Sequence, residues 1–282
     1  MYMNRYNEYN IPEIIFIIPY RDRLHQLIRW IDNMTEYLKD LNYQVLVIHQ
    51  LDKRRFNRGA IKNIGFLRVK EMYPNAYKDI TLVFNDVDTI PVKSFDFKTT
   101  RGIAKHLFGF RFAFGGLFSM TAGDFELIGG FPNLWSWGLE DNMLKERWVK
   151  HFGQKSIDFS QFVEIKGKTP KELEEEMIFD RSGEVGREIE VQVGQYVQEI
   201  RNKNKNETKL TESIHSIHRV NKHVVPIHTL IPSVSNSRIS VCNILNFDCG
   251  TTDNGIYERK RNLTKIKRQK VLTMNQLMRV RN

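Results

Sequence analysis

Cysteine is nearly absent: two residues, Cys242 and Cys249, in a chain of 282. Two thiols cannot build a disulfide framework, and they point to a reducing compartment. No apolar run approaches the roughly 18–20 residues that span a bilayer. The short run Ile14–Ile18 behind a polar start does not read as a signal peptide either. A cytoplasmic location is therefore expected. H-E-x-x-H is missing, so zinc-protease chemistry is not indicated. Composition near the globular average, without internal repeats, excludes collagen and low-complexity polymer. From Arg259 onward acid is missing as well. Arg259, Lys260, Arg261, Lys265, Lys267, Arg268, Lys270, Arg279 and Arg281 stand there with no Asp or Glu. The net charge of +10 is thus a property of the tail, and the body is nearly neutral. Such a tail can touch nucleic acid or anionic lipid, or it can be a solvated end; by itself it makes nucleic acid no expected partner.

What is present is a strand–helix alternation. Ile14–Ile18 is a buried-strand pattern, and Leu24, Leu27, Ile28, Ile31 and Leu38 share one helical face between about Arg23 and Lys39. Tyr43–Ile48 reads as a second strand, Ala60–Tyr73 as a second helix and Ile80–Phe84 as a third strand. This β-α-β-α-β order predicts a parallel sheet covered by helices, with ligands beyond the carboxyl ends of the strands. Three polar motifs sit at those ends and should converge: Pro19–Arg23, Gln50–Arg58 and Asp86-Val87-Asp88. Thr169-Pro170-Lys171-Glu172 predicts a capped helix running to about Glu176, and Asn202–Lys209 an exposed loop.

The motifs each admit two readings. Asp86 and Asp88 can grip a divalent cation and a diphosphate together, or simply cap a strand-end turn. Arg21, Arg23 and Arg58 suit diphosphate oxygens, with Tyr20 and Phe56 beside them to flank a base, though arginines at strand ends are common. Trp135–Asn142 places Glu140 and Asp141 next to tryptophan in a glycine-flexed stretch. That pattern fits a sugar site with a carboxylate base, and equally a helix start whose acids complement the dipole. His215, His218, His223 and His228 form a cluster in which His215-x-x-His218 can present two imidazoles to one metal, or be scattered histidines.

Taken in order, these blocks resemble the β-1,4-galactosyltransferase family, glycosyltransferase family 7. Ile18–Arg23 looks like I-P-[FY]-R-x-R, and Phe56–Phe66 is similar to F-N-R-x-x-x-x-N-x-G-F. Asp86–Pro91 resembles D-V-D-x-x-P. Gly115-Gly116 with Gly130–Asn133, and then Trp135–Asp141, resemble G-G…N-G-F-P-N and W-G-W-G-x-E-D.

The resemblance implies an α/β, GT-A (Rossmann-like) fold with a mostly parallel central sheet. The expected plan is a catalytic domain 1–258 and a basic tail 259–282. Within the domain, 1–100 would bind donor and 101–258 acceptor and metal, with an inserted helical segment at about 155–208. The resemblance also implies an inverting hexosyltransferase using Mn²⁺ and a UDP-sugar, UDP-Gal or UDP-GalNAc, with a glycan or glycoprotein acceptor. Pro19, Tyr20, Arg21, Arg23, Phe56, Arg58, Asp86 and Val87 would meet the donor. Asp88, His215 and His218 would hold the metal. Trp137, Gly138, Glu140 and Asp141 would meet the acceptor, Trp137 in a closing loop and Asp141 as catalytic base. Several positions depart from the pattern. Leu139 replaces a glycine, Asn142 an acid, and Ala113 a tyrosine that screens the donor's C2 substituent; the stretch from Asp141 to His218 is also long. An idle carbohydrate-binding or structural protein on the same fold is the alternative.

Overall fold

The computed structural model describes residues 11–135, 139–179 and 213–250. The expected loop Asn202–Lys209 and the basic tail 259–282 lie outside them. The helices and strands of the first third follow the hydrophobic pattern closely. β1 (Ile14–Tyr20), α1 (Leu24–Tyr37), β2 (Tyr43–Gln50), α2 (Arg58–Met72) and β3 (Thr81–Asn85) alternate as expected. β4 (Thr89–Pro91), β5 (Ala104–Gly109), β6 (Leu117–Thr121), α3 (Ala122–Leu127) and α4 (Glu140–Phe152) follow. β7 (Ile157–Asp158), β8 (Val163–Glu164), α5 (Pro170–Glu174), β9 (Met177–Phe179), β10 (His218–Pro226) and β11 (Ile239–Asp248) complete the described elements.

One nine-stranded sheet runs in the order β10-β11-β2-β1-β3-β6-β5-β7, with β8 also on β5. β1 lies parallel to β2 and β3, and β2 parallel to β11, so the centre is parallel. β6 and β10 enter antiparallel. A parallel strand of this kind is covered on both faces. Every residue of β1 is buried, and its alternation divides two cores. Ile15 and Ile17 face the side of α2 and α4, with Ile61, Ile64, Phe84, Phe118, Phe131 and Trp148. Ile14, Phe16 and Ile18 face the side of α1, with Leu27, Trp30, Ile31 and Met34. Burial of each such side chain is worth about 1.5–3 kcal/mol. Gly65 sets the approach of α2: a Cβ there would stand 2.6 Å from Ile17 Cγ2.

The expected helical insertion is corrected over its described part, 155–179. The one α-helix among the residues described there is α5, capped by Thr169 and Glu172 as the sequence predicts. β7 and β8 add to β5, and β9 pairs with β4. β-branched Ile157, Val163 and Ile178 suit a pleated surface better than a helix. Cys242 and Cys249 are buried and are not joined in a disulfide.

Candidate active site

The three strand-end motifs meet. Arg21, just beyond β1, donates to the carbonyls of Asp52 (3.1 Å) and Arg54, shaping the loop after β2. Arg23 reaches Asp88 beyond β3 at 2.8 Å. Arg58, opening α2, lies 3.2 Å from Asp86. Each contact has a local cause. β3 ends at Asn85, whose side chain accepts from Trp30 Nε1 at 2.9 Å and donates to the Thr89 carbonyl at 2.8 Å. That fixes the turn bearing Asp86 and Asp88. α2 starts where the buried Asn57 side chain accepts from the Ala60 amide at 2.9 Å, which sets the direction of Arg58.

A second convergence brings in α4. Glu140 and Asp141 form its first turn. Asp141 receives the Arg58 guanidinium and, at 3.3 Å, the ammonium of Lys62. Glu140 lies 3.3 Å from Arg58 and Lys62 lies 3.6 Å from Asp86. Two glycines make room for this. A Cβ on Gly115 would stand 2.8 Å from Asp141 Oδ2, and one on Gly59 2.1 Å from the Pro132 carbonyl oxygen. Main-chain ties hold both acids to the loop between β5 and β6. The Asp86 amide donates to the Gly116 carbonyl and the Phe114 amide to the Asp141 carbonyl, each at 3.0 Å.

The cluster sets four carboxylates, Asp86, Asp88, Glu140 and Asp141, against Arg23, Arg58 and Lys62. Burial pushes the Asp88 carboxyl up to about 6, with the neighbouring Asp86 charge adding to it. Burial also raises Glu140, with Asp141 adding. Burial acts on Asp86 in the same sense, but Arg58 and Lys62 outweigh it and hold this carboxyl below its ordinary range. Arg58 stays protonated although burial opposes it, because Asp141, Asp86 and Glu140 surround it.

Other expected residues take different places. Tyr20 is buried, edge-on to His49 at 4.7 Å, and Val87 is buried in the α1-side core, so Val87 offers only backbone to a ligand. Pro19 is interior to the sheet as a member of β1. Phe56 is half-buried against the α2-side core. Trp137 and Gly138 lie outside the described residues. Their neighbour Trp135 stacks on Phe247 at 5.5 Å, with Arg54 4.5 Å from both ring centres. Asn63 and Asn133 prove to be scaffold. Asn63 donates to the Phe131 carbonyl (2.8 Å) and to Asn133 Oδ1 (2.9 Å), and accepts from the Phe131 amide (2.9 Å).

A divalent cation finds one suitable ligand at this site. Asp88 is a largely buried carboxylate whose charge is disfavoured by Asp86, a condition that a cation relieves. His215, on a single helical turn, and His218, opening the edge strand β10, are exposed. Among the described residues no three of His, Cys, Asp and Glu are drawn together to hold a metal. The expected set Asp88, His215, His218 is therefore not gathered here: Asp88 turns to Arg23 instead. Lys62 and Arg54 were missed by the motif reading. Lys62 follows Arg58 by four residues on α2, and that spacing puts both on one helical face.

Comparison with known proteins agrees with this geometry. The N-terminal region of glycosyl transferase group 7 matches residues 9–99, and the N-terminal domain of galactosyltransferase matches residues 103–168. β-1,4-Galactosyltransferase 4 of Mus musculus is 31% identical over 155 residues, 50% of this chain and 44% of that protein. Xylosylprotein 4-β-galactosyltransferase of Caenorhabditis elegans is 31% identical over 144 residues, 46% of this chain and 48% of that protein. The chain thus spans less than half the length of these relatives. The catalytic domain of Drosophila β1,4-galactosyltransferase 7, solved with xylobiose, superposes with a TM-score of 0.53 at 18% identity, covering 86% of this chain and 97% of that one. A mutant of the same enzyme, solved with manganese, UDP-Gal and xylobiose, gives 0.54 at 16% identity over the same shares, and at such identity the likeness speaks for the GT-A fold. The first family match ends within β5's approach and the second reaches past β8, so the strands at 157–164 belong to the shared domain rather than to an insertion. With both halves of the family pattern in order over more than half of its length, on the matching fold, the chain belongs to the β-1,4-galactosyltransferase family, glycosyl transferase group 7.

Proposed function

We propose that the chain is an inverting glycosyltransferase that moves galactose or N-acetylgalactosamine from a UDP-sugar to an acceptor hydroxyl on a glycan or glycoprotein. The observation that carries this reading is the single guanidinium of Arg58, which spans Asp86 at the end of β3 and Asp141 at the start of α4. It brings a donor-side acid and an acceptor-side acid to one point, as transfer between two bound sugars demands. In this reading Arg23 and Arg58 bind the diphosphate, and Phe56 offers a ring face to the base. Glu140 and Asp141 bind the acceptor. Asp141 takes the hydroxyl proton as that oxygen attacks the anomeric carbon from the face opposite the diphosphate. A single in-line displacement of this kind inverts the anomeric centre, and the carbon–oxygen bond to the diphosphate breaks as the new one forms.

Mn²⁺ would be held by Asp88 and would supply charge to stabilise the departing diphosphate. Ala113, a small residue where the resemblance sets a tyrosine, would leave room for an N-acetyl substituent on the donor. The test is UDP release from UDP-Gal, UDP-GalNAc, UDP-Glc and UDP-GlcNAc, with and without Mn²⁺, in the presence of xylose- and N-acetylglucosamine-terminated acceptors. Turnover with one of the galacto-configured donors bears the proposal out. UDP binding without any transfer favours the idle carbohydrate-binding alternative.

A further inference from the structure

Lys62 is 1% exposed, in the middle of an α2 face whose neighbours Ile61, Asn63, Ile64 and Phe66 are all buried. An ammonium there is costly unless acids hold it. Two do: Asp141 Oδ1 at 3.3 Å and Asp86 Oδ1 at 3.6 Å, with the Phe131 ring centre 4.7 Å away. Among the described residues, the cations within 4.0 Å of Asp141 are Lys62 and Arg58. They are not equivalent. Arg58 is 14% exposed and shared among Asp86, Glu140 and Asp141, so turning its guanidinium toward a diphosphate loosens its hold on those acids. Lys62 has no surface from which to meet a ligand and cannot be withdrawn in this way.

Resting on the transferase reading above, we infer that Lys62 is a positioning residue for sugar transfer. Its ammonium is the fixed counter-charge that keeps Asp141 aimed and Asp86 beside it when Arg58 turns to the donor diphosphate. It forms no bond to substrate. A misplacement of about 1 Å at a reacting group can cost roughly a hundredfold in rate, so the geometry of Asp141 is worth guarding.

The test compares the full chain with Lys62→Met, which keeps length and loses charge. The probes are UDP, its binding followed by calorimetry, and the UDP-sugar and acceptor that the unaltered chain turns over best. The expected result is a fall in kcat of roughly ten- to a hundredfold, with the UDP Kd and the donor KM unchanged within about threefold. An unchanged kcat, or a UDP Kd weakened by about tenfold or more, overturns the proposal. Should Lys62→Met fail to fold, the double variant Asp141→Asn/Lys62→Met removes an acid and its buried partner together. A residue acting through Asp141 adds no further loss to Asp141→Asn alone, whereas an additional drop of about fivefold or more overturns the assignment. If the unaltered chain transfers no sugar from any donor, it is the transferase reading that fails, which is visible before any variant is compared.

Discussion

Arg58, at the first turn of α2, and Asp141, at the first turn of α4, are joined directly by their side chains although 83 residues separate them. The contact occupies the acid proposed as base with an arginine that also touches Asp86 and Glu140. It follows that Asp141 has a structural partner and a chemical task at once. Asp141→Asn should lower transfer by roughly 10²–10⁴-fold while UDP binding stays within a few-fold. Steady-state UDP release together with calorimetry of UDP checks both halves. Near-normal transfer by that variant would end the base assignment.

The metal ligands can be separated by titration. Asp88→Asn is expected to raise the Mn²⁺ concentration for half-maximal turnover by at least about tenfold, and His215→Ala and His218→Ala by less than about threefold. A rise of about tenfold on removing either imidazole would instead bring that histidine to the metal.

Leu139 precedes the two acids with a φ of 65°, in the left-handed region that glycine adopts freely. This explains in physical terms why the resemblance sets a glycine at that point. Leu139→Gly should raise stability by about 0.5–1 kcal/mol, the relief of strain exceeding the entropy that glycine adds to the unfolded chain. A thermal melt that shifts upward by a few degrees bears this out; a downward shift means the half-buried leucine packs better than its backbone suggests.

The strands, helices and parallel centre were legible because each buried face repeats in the sequence at its own period, as in Ile14–Ile18 and in Leu27, Ile31 and Met34. That the segments bearing Arg23, Arg58, Asp86 and Asp88 converge followed from strand ends alone; that Arg23 pairs with Asp88 and Arg58 with Asp86 did not. What the pattern did not show was charge inside the apolar face. Lys62 reads as a surface residue until the acids from two distant segments are placed around it. Nor did it show the strands at 157–179, since runs of two or three residues carry no measurable period. Asn63 and Asn133 were visible as motif letters, but their task as a clamp requires the loop at Phe131 to be in place.

That clamp can be opened. Asn63→Leu leaves the buried Phe131 amide, Phe131 carbonyl and Asn133 side chain each short of a partner. A loss of about 2–4 kcal/mol is expected, read as a lower urea midpoint at constant slope.

His106 offers a pH dependence with a definite sign. It is fully buried among Phe114, Phe159 and Phe162, with Lys145 and Arg111 nearby, and burial first and Lys145 next bring its imidazole down to about 3. Between that value and the ordinary 6.5 the unfolded chain takes up a proton that the folded chain refuses. Stability is therefore complete above about pH 6.5 and falls below it by up to about 1.4 kcal/mol per pH unit. His106→Leu should reduce the stability difference between pH 7 and pH 5 by about 2 kcal/mol relative to the unaltered chain, measured by urea unfolding at both values. An equal difference in the two proteins would mean that the imidazole titrates in the folded state.

The loop between β5 and β6 ties Asp86 through the Gly116 carbonyl and Asp141 through the Phe114 amide. Both knots are main chain, so the gap across which a sugar would change owners is set by peptide groups that any side chain but proline's leaves in place. Exchanging the side chains from Phe110 to Ala113 would then leave the gauge of the machine as it was built.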